Sequence, residues 1–436
     1  MSSWVDSAIW WQVYPLGFTG AERTALPAGD EPVRHRLPHL ASWLDYAVEL
    51  GCSGLLLGPV FAAETHGYDT IDHFRIDSRL GDEADFAALV SAAGSRGLRI
   101  VLDGVFNHVG RGFPAFQAAL AGGASAAWFR RAPDGSFAVF EGHEQLVALD
   151  HGSAEVVDYV VEVMSYWLDR GIAGWRLDAA YAVPAAFWRK VLPKVRASYP
   201  DAWFVGEMIH GDYAAYASAA DLDAITAYEL WKAIWSSLND QNLYELSWSM
   251  DRHNTFLDGV GMQTFVGNHD VTRLATRLTD SRHIGHALAV LFTVGGVPSV
   301  YYGDEQGFRG VKEDRAGGDD EIRPGFPAGP GLLAPDGWPV YRLHQRLIGF
   351  RRRHPWLAGA RTSVRHLSNT ALAYQSSASS ASSADGGSVM VLLNVGDEPF
   401  RFPVDQGGLA VAVTPDPGAE IGDPLLVPAH SWIILG

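Results

Sequence analysis

The sequence predicts an α/β fold: a (β/α)₈ TIM barrel with a short insertion after its third strand and a C-terminal antiparallel β domain. Two observations carry this prediction. Eight short apolar runs alternate with stretches of helical spacing up to residue 353, and the runs are apolar on both faces, as buried parallel strands are. Beyond residue 353, short β-type runs are separated by Gly, Pro and Asp, which is typical of an antiparallel sheet.

The barrel elements follow in order along the chain. Apolar residues recur at helical spacing in residues 37–50 and 83–96, which predicts two helices. Gly51 ends the first of them. Similar units recur through the rest of the barrel. The eight predicted strands are residues 9–14, 54–59, 98–103, 172–178, 203–207, 222–228, 262–270 and 298–304.

The same pattern divides the chain into three parts. An aromatic, Gly-rich excursion at residues 107–149 contains no βα unit and is predicted to be the insertion. The barrel then comprises residues 1–106 and 150–356, and residues 357–436 form the C-terminal β domain, expected to be a sandwich. Strands there are predicted at 372–374, 389–393, 400–404, 409–413 and 432–435, with the Ser/Ala/Gly tract 376–388 as a surface loop.

Composition limits the classes of partner. The 436 residues carry a formal net charge of −17, which disfavours nucleic acid and anionic membrane surfaces and suits a neutral substrate. Cys52 is the only cysteine, so neither an intramolecular disulfide nor a cysteine metal cluster can form. The first residues lack a signal-peptide pattern, and no apolar run is long enough to span a membrane, so a cytoplasmic protein is expected.

Polar residues cluster where the predicted barrel strands end. Active sites of this architecture lie at the C-terminal strand ends, so we expect Asp178, Glu207 and Asp270 to converge there. Strand alternation places Arg176 on the same side as Asp178, where its guanidinium would keep that carboxylate ionised. A lone Arg-x-Asp pair is more often structural, and only the neighbouring acids favour a catalytic role here.

Three crowded carboxyls cannot all stay ionised cheaply at neutral pH, so one is expected to hold a proton. A protonated acid beside an ionised carboxylate can cleave a glycosidic bond, because one protonates the leaving oxygen while the other meets the anomeric carbon. A divalent-metal site is the alternative, since acids with nearby histidines also bind metals.

Four segments carry a resemblance to a known family. DGVFNH (103–108), GWRLDAA (174–180), VGE (205–207) and FVGNHD (265–270) resemble, in this order, the signature regions of the α-amylase family of glycoside hydrolases (family 13). LLLGPVF (55–61) and LVALD (146–150) are similar to two further regions of that family. The resemblance runs from about residue 9 to the C-terminus and implies a retaining glycosidase.

The resemblance implies a role for each acid. Asp178 matches the nucleophile that forms a covalent β-glucosyl intermediate, Glu207 the general acid/base, and Asp270 the acid that binds the 2- and 3-hydroxyls of the sugar. Retention would require the carboxyls of Asp178 and Glu207 to lie about 5 to 5.5 Å apart. Asp103 matches a structural acid that supports Arg176.

Further matches concern substrate binding. His108 and His269 match donors to the same sugar, and Tyr68 matches an aromatic platform beneath it. Asp319 and Arg323 match a pair that holds the sugar on the non-reducing side, although an ordinary loop ion pair is equally consistent with their spacing. In the insertion, the aromatic residues Trp128, Phe129 and Phe140 are expected to offer sugar platforms.

Departures from the family pattern narrow the expected substrate. Tyr181 and Ala182 replace a Lys-His pair typical of amylases that act on long starch chains, and Ile209 stands where the cyclomaltodextrinase, neopullulanase and maltogenic amylase group often has Trp. That group is nevertheless the nearest in kind, although its N-terminal domain is not matched here. The expected substrates are short or cyclic maltooligosaccharides with α-1,4 bonds, and α-1,6 bonds are a second option.

Several alternatives and ancillary predictions stay open at this stage. Transglycosylation by the same family, or a non-catalytic carbohydrate-binding ancillary role, are the alternatives to hydrolysis. No organic cofactor and no essential metal are expected, because calcium bound at Asn107 would lack a carboxylate partner in the insertion. The resemblance also suggests a homodimer.

Overall fold

A closed barrel of eight parallel strands forms the centre of the molecule. The computed structural model describes residues 4–25, 32–315, 317–379, 387–418 and 421–436. The strands follow one another around the barrel in chain order, and the eighth pairs with the first, which confirms the predicted fold class. The barrel strands are Trp10–Val13, Gly54–Leu57, Arg99–Gly104, Gly174–Leu177, Trp203–Gly206, Ala224–Thr226, Gly261–Phe265 and Val297–Tyr301.

Helices follow most of the barrel strands. The helix Glu83–Ser95 matches its prediction closely because Asp82 and Asp85 form a capping box at its start. The predicted helix at residues 37–50 is two helices, interrupted at Ser42 and Trp43. The α-helices are Pro15–Phe18, Leu37–Ala41, Leu44–Leu50, Glu83–Ser95, Pro114–Leu120, Ala154–Leu168, Ala185–Arg196, Tyr213–Ala220, Tyr228–Asn239, Tyr244–Leu257, Leu274–Arg277, Ile284–Thr293 and Trp338–Arg353. Among the described residues, no helix has the length and apolar character needed to cross a membrane.

Several barrel strands are shorter than predicted. The sixth and seventh were expected at residues 222–228 and 262–270, but they end at Thr226 and Phe265. After Thr226 the chain turns directly into the helix that starts at Tyr228, and after Phe265 it leaves the barrel in a loop. The polar residues that close these two runs therefore lie on loops above the barrel.

One end of the barrel is filled by apolar side chains. Trp10 stacks on Trp203 with ring centroids 5.5 Å apart and an angle of 16° between the rings. Leu56, Val101 and Val297 pack into the same buried cluster. Because this packing closes the N-terminal end of the barrel, a polar site must open at the opposite end, where the strands terminate.

The insertion after the third barrel strand contains a small antiparallel sheet. Its strands are His108–Gly110, Val139–Phe140 and His143–Ala148, with the last one in the middle. The pairing of His108 with Ala148 fixes the start of the insertion to its end. The insertion thereby forms a wall at the mouth of the barrel.

The C-terminal part contains a five-stranded antiparallel sheet and a two-stranded sheet. The strand Arg361–Leu367 was not predicted, because it lies at a sheet edge and its residues are largely polar. The strand Leu426–Val427 was also missed, and residues 380–386 of the predicted loop lie outside the described residues. The strands are Arg361–Leu367, Ala371–Ser377, Ser388–Asn394, Phe400–Arg401, Val411–Val413, Leu426–Val427 and Ser431–Leu435.

Candidate active site

The main-chain ladder of the barrel positions two of the three acids. Asp178 directly follows the fourth barrel strand, and its N–H donates to the carbonyl of Gly104 at 3.1 Å. Glu207 directly follows the fifth strand, and its N–H donates to the carbonyl of Leu177 at 3.0 Å. Both acids are thus fixed by strand pairing, one residue beyond the strands themselves.

The Arg176 guanidinium lies at the centre of the acids. Its Nη1 contacts Asp103 at 2.6 Å and Asp178 at 3.3 Å, and its Nη2 contacts Glu207 at 2.7 Å and Asp270 at 3.9 Å. The side chain of Arg176 is only 4% exposed. The predicted convergence of the three acids is therefore present in the structure, and Asp103 supports Arg176 from within the third strand.

The ionisation of Asp178 differs from the expectation that Arg176 simply keeps it charged. The nearest carboxylates to Arg176 are those of Asp103 and Glu207, and Asp178 is farther away. Burial, followed by the negative charge of Glu207, raises the pKa of the Asp178 carboxyl well above its usual range, and Arg176 opposes this only in part. The carboxyls of Asp178 and Glu207 therefore compete for one buried guanidinium, which lies nearer to Glu207.

Glu207 is held by neighbours that the sequence analysis did not identify. The N–H of Ala179 donates to its Oε2 at 2.9 Å, and the Tyr228 hydroxyl donates to its Oε1 at 3.3 Å. Ala179 adopts a left-handed backbone with φ of 45°, which is uncommon for a residue other than glycine. This conformation occurs directly after Asp178, where the same N–H reaches Glu207.

Asp270 has a different environment from the other two acids. His269 Nε2 lies 3.0 Å from one carboxylate oxygen, and Arg323 donates to the other at 2.9 Å. Burial alone would raise the pKa of Asp270, but His269, Arg323 and Arg176 hold it well below its usual range. The predicted pair of Asp319 and Arg323 is formed at 2.9 Å, so Arg323 bridges two carboxylates. Asp270 is accordingly an ionised acceptor.

Tyr68 and His269 form a stacked pair beside these acids. Their rings are parallel within 1° with centroids 5.7 Å apart, and the Tyr68 hydroxyl hydrogen-bonds His269 Nε2. The same hydroxyl donates to Asp103 at 3.1 Å. Gln12 Nε2 lies 3.1 Å from His269 Nδ1, on the other edge of the ring from Asp270.

His108 lies in the strand that begins the insertion. Asn107 Nδ2 donates to its Nδ1 at 3.0 Å, so Nε2 carries the proton of the neutral ring. Nε2 is buried and has no well-formed hydrogen-bond partner within the described part of the chain. Burial, helped by the positive charge that His66 can carry, lowers the pKa of His108 to about 3. His108 is therefore a neutral donor at physiological pH.

The three aromatic residues of the insertion that were expected to be sugar platforms, Trp128, Phe129 and Phe140, lie in different surroundings. Phe140 stacks on His108 with centroids 4.7 Å apart, which places it beside the site as expected. Phe129 was expected to be a platform as well, but this is wrong: it is 2% exposed and packs against Phe116. Trp128 donates to Glu155 at 2.5 Å and packs against Tyr159, on the side of the helix Ala154–Leu168.

The sequence contains signals for three site residues that the sequence analysis did not identify: Tyr228, Gln12 and Asn268. Tyr228 follows the end of the sixth barrel strand, so the rule that strand ends carry the site applies to it as well. Gln12 is a polar residue within an otherwise apolar buried strand, which is unusual without a partner. Asn268, which donates to the Tyr228 hydroxyl at 2.9 Å, lies within the recognised FVGNHD segment.

The structure shows two groups of His, Asp and Glu, among the described residues, that are close enough to share a metal ion. The Asn107 amide is engaged by His108, and its carbonyl accepts from the N–H of Leu149. The absence of an essential calcium therefore stays a prediction.

Together, the barrel, its small insertion and the acids at the strand ends define an α-amylase type of (β/α)₈ barrel protein. Residues 12–136 and 123–358 match the family described as "Alpha amylase, catalytic domain". The chain belongs to the α-amylase family.

The chain is also similar to individual relatives within this family. The chain is 31% identical over 350 residues to a cyclomaltodextrinase of Geobacillus thermopakistaniensis, covering 73% of this chain and 58% of that protein. It is 31% identical over 336 residues to the intracellular maltogenic amylase of Bacillus subtilis, covering 71% and 57%. The chain thus spans less than two thirds of these curated relatives.

A solved structure matches over the full chain. This is the cyclic α-maltosyl-(1→6)-maltose hydrolase of Arthrobacter globiformis in its ligand-free form. The TM-score is 0.80 and the identity 26%, and the match covers 100% of this chain and 99% of that one. The relatives and this structure are proteins named for action on maltose-based saccharides.

Proposed function

We propose that this protein is a retaining α-glucoside hydrolase that cleaves short or cyclic maltooligosaccharides. The observation that carries the proposal is the contact of Arg176 with Asp178, Glu207 and Asp270 at the C-terminal end of the barrel. Two of these carboxyls approach the two terminal nitrogens of one guanidinium, which supports the short acid spacing that retention requires. Family membership supports the same chemistry.

The first step breaks the glycosidic bond. Attack requires Asp178 to be ionised and Glu207 to carry the proton that it will transfer. Glu207 then gives the proton to the leaving glycosidic oxygen as the Asp178 carboxylate bonds to the anomeric carbon. In the second step Glu207 takes a proton from water, which attacks the anomeric carbon and releases Asp178.

The remaining residues bind the sugar. Ionised Asp270 accepts hydrogen bonds from sugar hydroxyls, and neutral His108 donates through Nε2. His269, the second predicted sugar donor, lies beside Asp270. The Tyr68 ring supplies an apolar face for the pyranose. Arg323, which holds Asp270 and Asp319, keeps both acceptors in place on the far side of the site.

The substrate class rests on the relatives' names and on the insertion. Proteins named for cyclic maltose-based substrates are among the most similar sequences and structures. In this chain Tyr181 donates to Glu141 of the insertion, so one wall of the site is a bonded contact between two loops. A site closed on that side suits a compact or cyclic saccharide better than a long chain. α-1,4 bonds are the proposed target, with α-1,6 bonds in cyclic substrates of mixed linkage.

A product profile tests this function. Purified protein is incubated with maltotetraose, β-cyclodextrin, cyclic α-1,4/α-1,6 tetrasaccharide, pullulan and isomaltose, and products are separated by chromatography. We expect hydrolysis of the cyclic and short substrates, and products longer than the substrate would instead indicate transglycosylation. Asp178→Asn and Glu207→Gln should each lower activity by about 10⁴-fold or more, whereas the exposed Asp45→Asn should leave it unchanged.

The covalent step has its own test. Glu207→Gln protein is mixed with α-maltosyl fluoride, whose leaving group needs little acid assistance, and is then digested for mass spectrometry. We expect a glycosyl adduct on the peptide that contains Asp178, because the variant lacks the base that activates water. An adduct on any other carboxyl, or wild-type activity in either acid variant, contradicts the mechanism.

A homodimer and a cytoplasmic location remain predictions from the sequence.

A further inference from the structure

A second cluster of titratable side chains lies where the barrel meets the C-terminal sheet. His283 immediately precedes the helix Ile284–Thr293, and its Nε2 lies 3.0 Å from Nδ1 of His430, which precedes the last strand. Asp280 Oδ2 lies 3.9 Å from the same Nδ1. One ligand atom from each residue lies within 4.8 Å of the others. The proposed chemistry of the active site uses none of them.

We propose that Asp280, His283 and His430 bind one Zn²⁺ ion that joins the barrel to the C-terminal domain. Zinc bonds to histidine nitrogen are about 2.0 to 2.1 Å long, so two ligands of a tetrahedral ion lie about 3.3 Å apart. The distances of 3.0 Å and 3.9 Å lie on either side of that value, and small side-chain movements reach it. Two nitrogens and one carboxylate suit Zn²⁺ and disfavour Ca²⁺ or Mg²⁺.

The surrounding contacts orient the ligands. His430 Nε2 donates to Asp397 at 2.8 Å, which leaves the Nδ1 lone pair facing His283 and Asp280. A carboxylate behind a metal-binding histidine is the usual support for such a ligand. Asp280 accepts from the main-chain N–H of Arg282 at 2.9 Å and from its guanidinium at 2.6 Å, so its carboxylate is also held in place.

The protein framework fixes the two histidines from opposite sides. His283 is 2% exposed, and the next turn of its helix is tied to the C-terminal sheet because His286 donates to the carbonyls of Asn394 and Ser431. His430 has a left-handed backbone with φ of 48°, and its N–H donates to Gly396 at 3.1 Å. The rings therefore face each other across the boundary of two structural units.

Metal binding requires only a local proton shift. The hydrogen bond between the rings runs from His283 Nε2–H to the unprotonated Nδ1 of His430, since Nε2 of His430 carries its proton. Moving the His283 proton from Nε2 to Nδ1 frees both nitrogens for the ion without net proton release. The Asp280 side chain is 27% exposed, which leaves solvent access for water as a fourth ligand.

The second cluster in the described structure has another explanation. Asp82 and Asp85 are the capping box of the helix Glu83–Ser95, and this cluster contains one histidine where the first contains two. His35, which contacts Asp85, has a side chain that is 60% exposed. A His35→Ala variant therefore serves as a matched control for non-specific binding of zinc to a surface histidine.

The test measures zinc directly on the full chain. Protein freed of metal by chelation is titrated with ZnCl₂ by calorimetry, and bound metal is quantified after dialysis by mass spectrometry. We expect one Zn²⁺ per chain and a rise in melting temperature with zinc. His430→Ala and His283→Ala should abolish both, Asp397→Asn should weaken zinc affinity by about 10- to 100-fold, and His35→Ala should change neither.

Cobalt provides a readout that does not depend on stability. Co²⁺ added to the metal-free protein should give the intense visible absorption of a tetrahedral site. The His430→Gln variant, which preserves much of the side-chain volume, should lose this absorption. Its circular dichroism should stay unchanged. Zinc stoichiometry that is zero, or that survives both histidine variants, overturns the proposal. Because catalysis is measured separately, failure of this site leaves the proposed glycosidase intact.

Discussion

The Tyr181 hydroxyl donates a hydrogen bond to Glu141 Oε1 at 3.0 Å and thereby connects the loop after the fourth barrel strand to the insertion. Tyr181 lies three residues after Asp178, and its ring also packs against His210, three residues after Glu207. The contact thus closes the site next to both acids.

Removing this contact should alter substrate choice. We expect Tyr181→Phe to lose about 1 kcal/mol of loop coupling, corresponding to a roughly fivefold gain in the ratio of kcat/KM for linear over cyclic maltooligosaccharides. Tyr199→Phe is the control, since Tyr199 makes the same type of bond to Asp169 on the surface. The ratio is measured with maltoheptaose and β-cyclodextrin, and an unchanged ratio in Tyr181→Phe contradicts a role for this wall.

Arg176 should matter for stability as well as activity. Arg176→Gln leaves buried carboxylates without their counter-charge, and we expect a loss of about 3 to 5 kcal/mol in the free energy of unfolding. Activity should fall with it because Asp178 and Glu207 lose their shared partner. The control Arg96→Gln breaks an exposed ion pair with Asp45 and should leave the free energy of unfolding nearly unchanged. Urea unfolding of both variants decides whether the burial of Arg176 sets the difference.

Asp178 and Asp270 should affect stability with opposite signs. The raised pKa of Asp178 means that its contribution to stability is present below the unfolded pKa of about 3.9 and is lost as pH rises through the folded pKa. Asp178→Asn should therefore raise the melting temperature at pH 7, and the gain should shrink toward pH 4. The lowered pKa of Asp270 reverses the sign, so Asp270→Asn should lower the melting temperature at pH 7.

Thermal melts of these two variants between pH 3 and pH 7 check the prediction. For Asp270→Asn the loss should persist down to the unfolded pKa of about 3.9 and shrink below it as pH falls toward the folded pKa. Equal shifts in both variants, or shifts that do not depend on pH, would show that charge burial does not govern the stability of the site.

Chelation should leave catalysis unchanged. Asn107 Nδ2 donates to His108 Nδ1, and the sequence offers Asn107 no convincing carboxylate partner in the insertion. We therefore expect the same kcat on maltotetraose before and after dialysis against EDTA, with or without added Ca²⁺. A loss of kcat that calcium restores, but zinc does not, would establish an essential calcium ion.

Much of the fold could be predicted because the pattern of apolar residues is itself the cause of the barrel. Strands such as Gly54–Leu57 are buried on both faces, so their sequences are continuously apolar and easily recognised. The edge strand Arg361–Leu367 could not be recognised in this way, because a strand that pairs on one side only does not need a continuously apolar sequence. Phe129 was misplaced for a similar reason: composition does not tell whether an aromatic ring faces solvent or core.

The sequence by itself determined which residues meet at the strand ends. Alternation along a strand and the common direction of parallel strands bring Arg176, Asp178 and Glu207 together whatever the loops do. Only the tertiary structure decided how they ionise. Burial and the negative charge of Glu207 raise the pKa of Asp178, Arg176 at 3.3 Å opposes this only in part, and these quantities depend on packing across several strands. The facing of His283 and His430, 147 residues apart, likewise exists only once the C-terminal sheet has docked on the barrel.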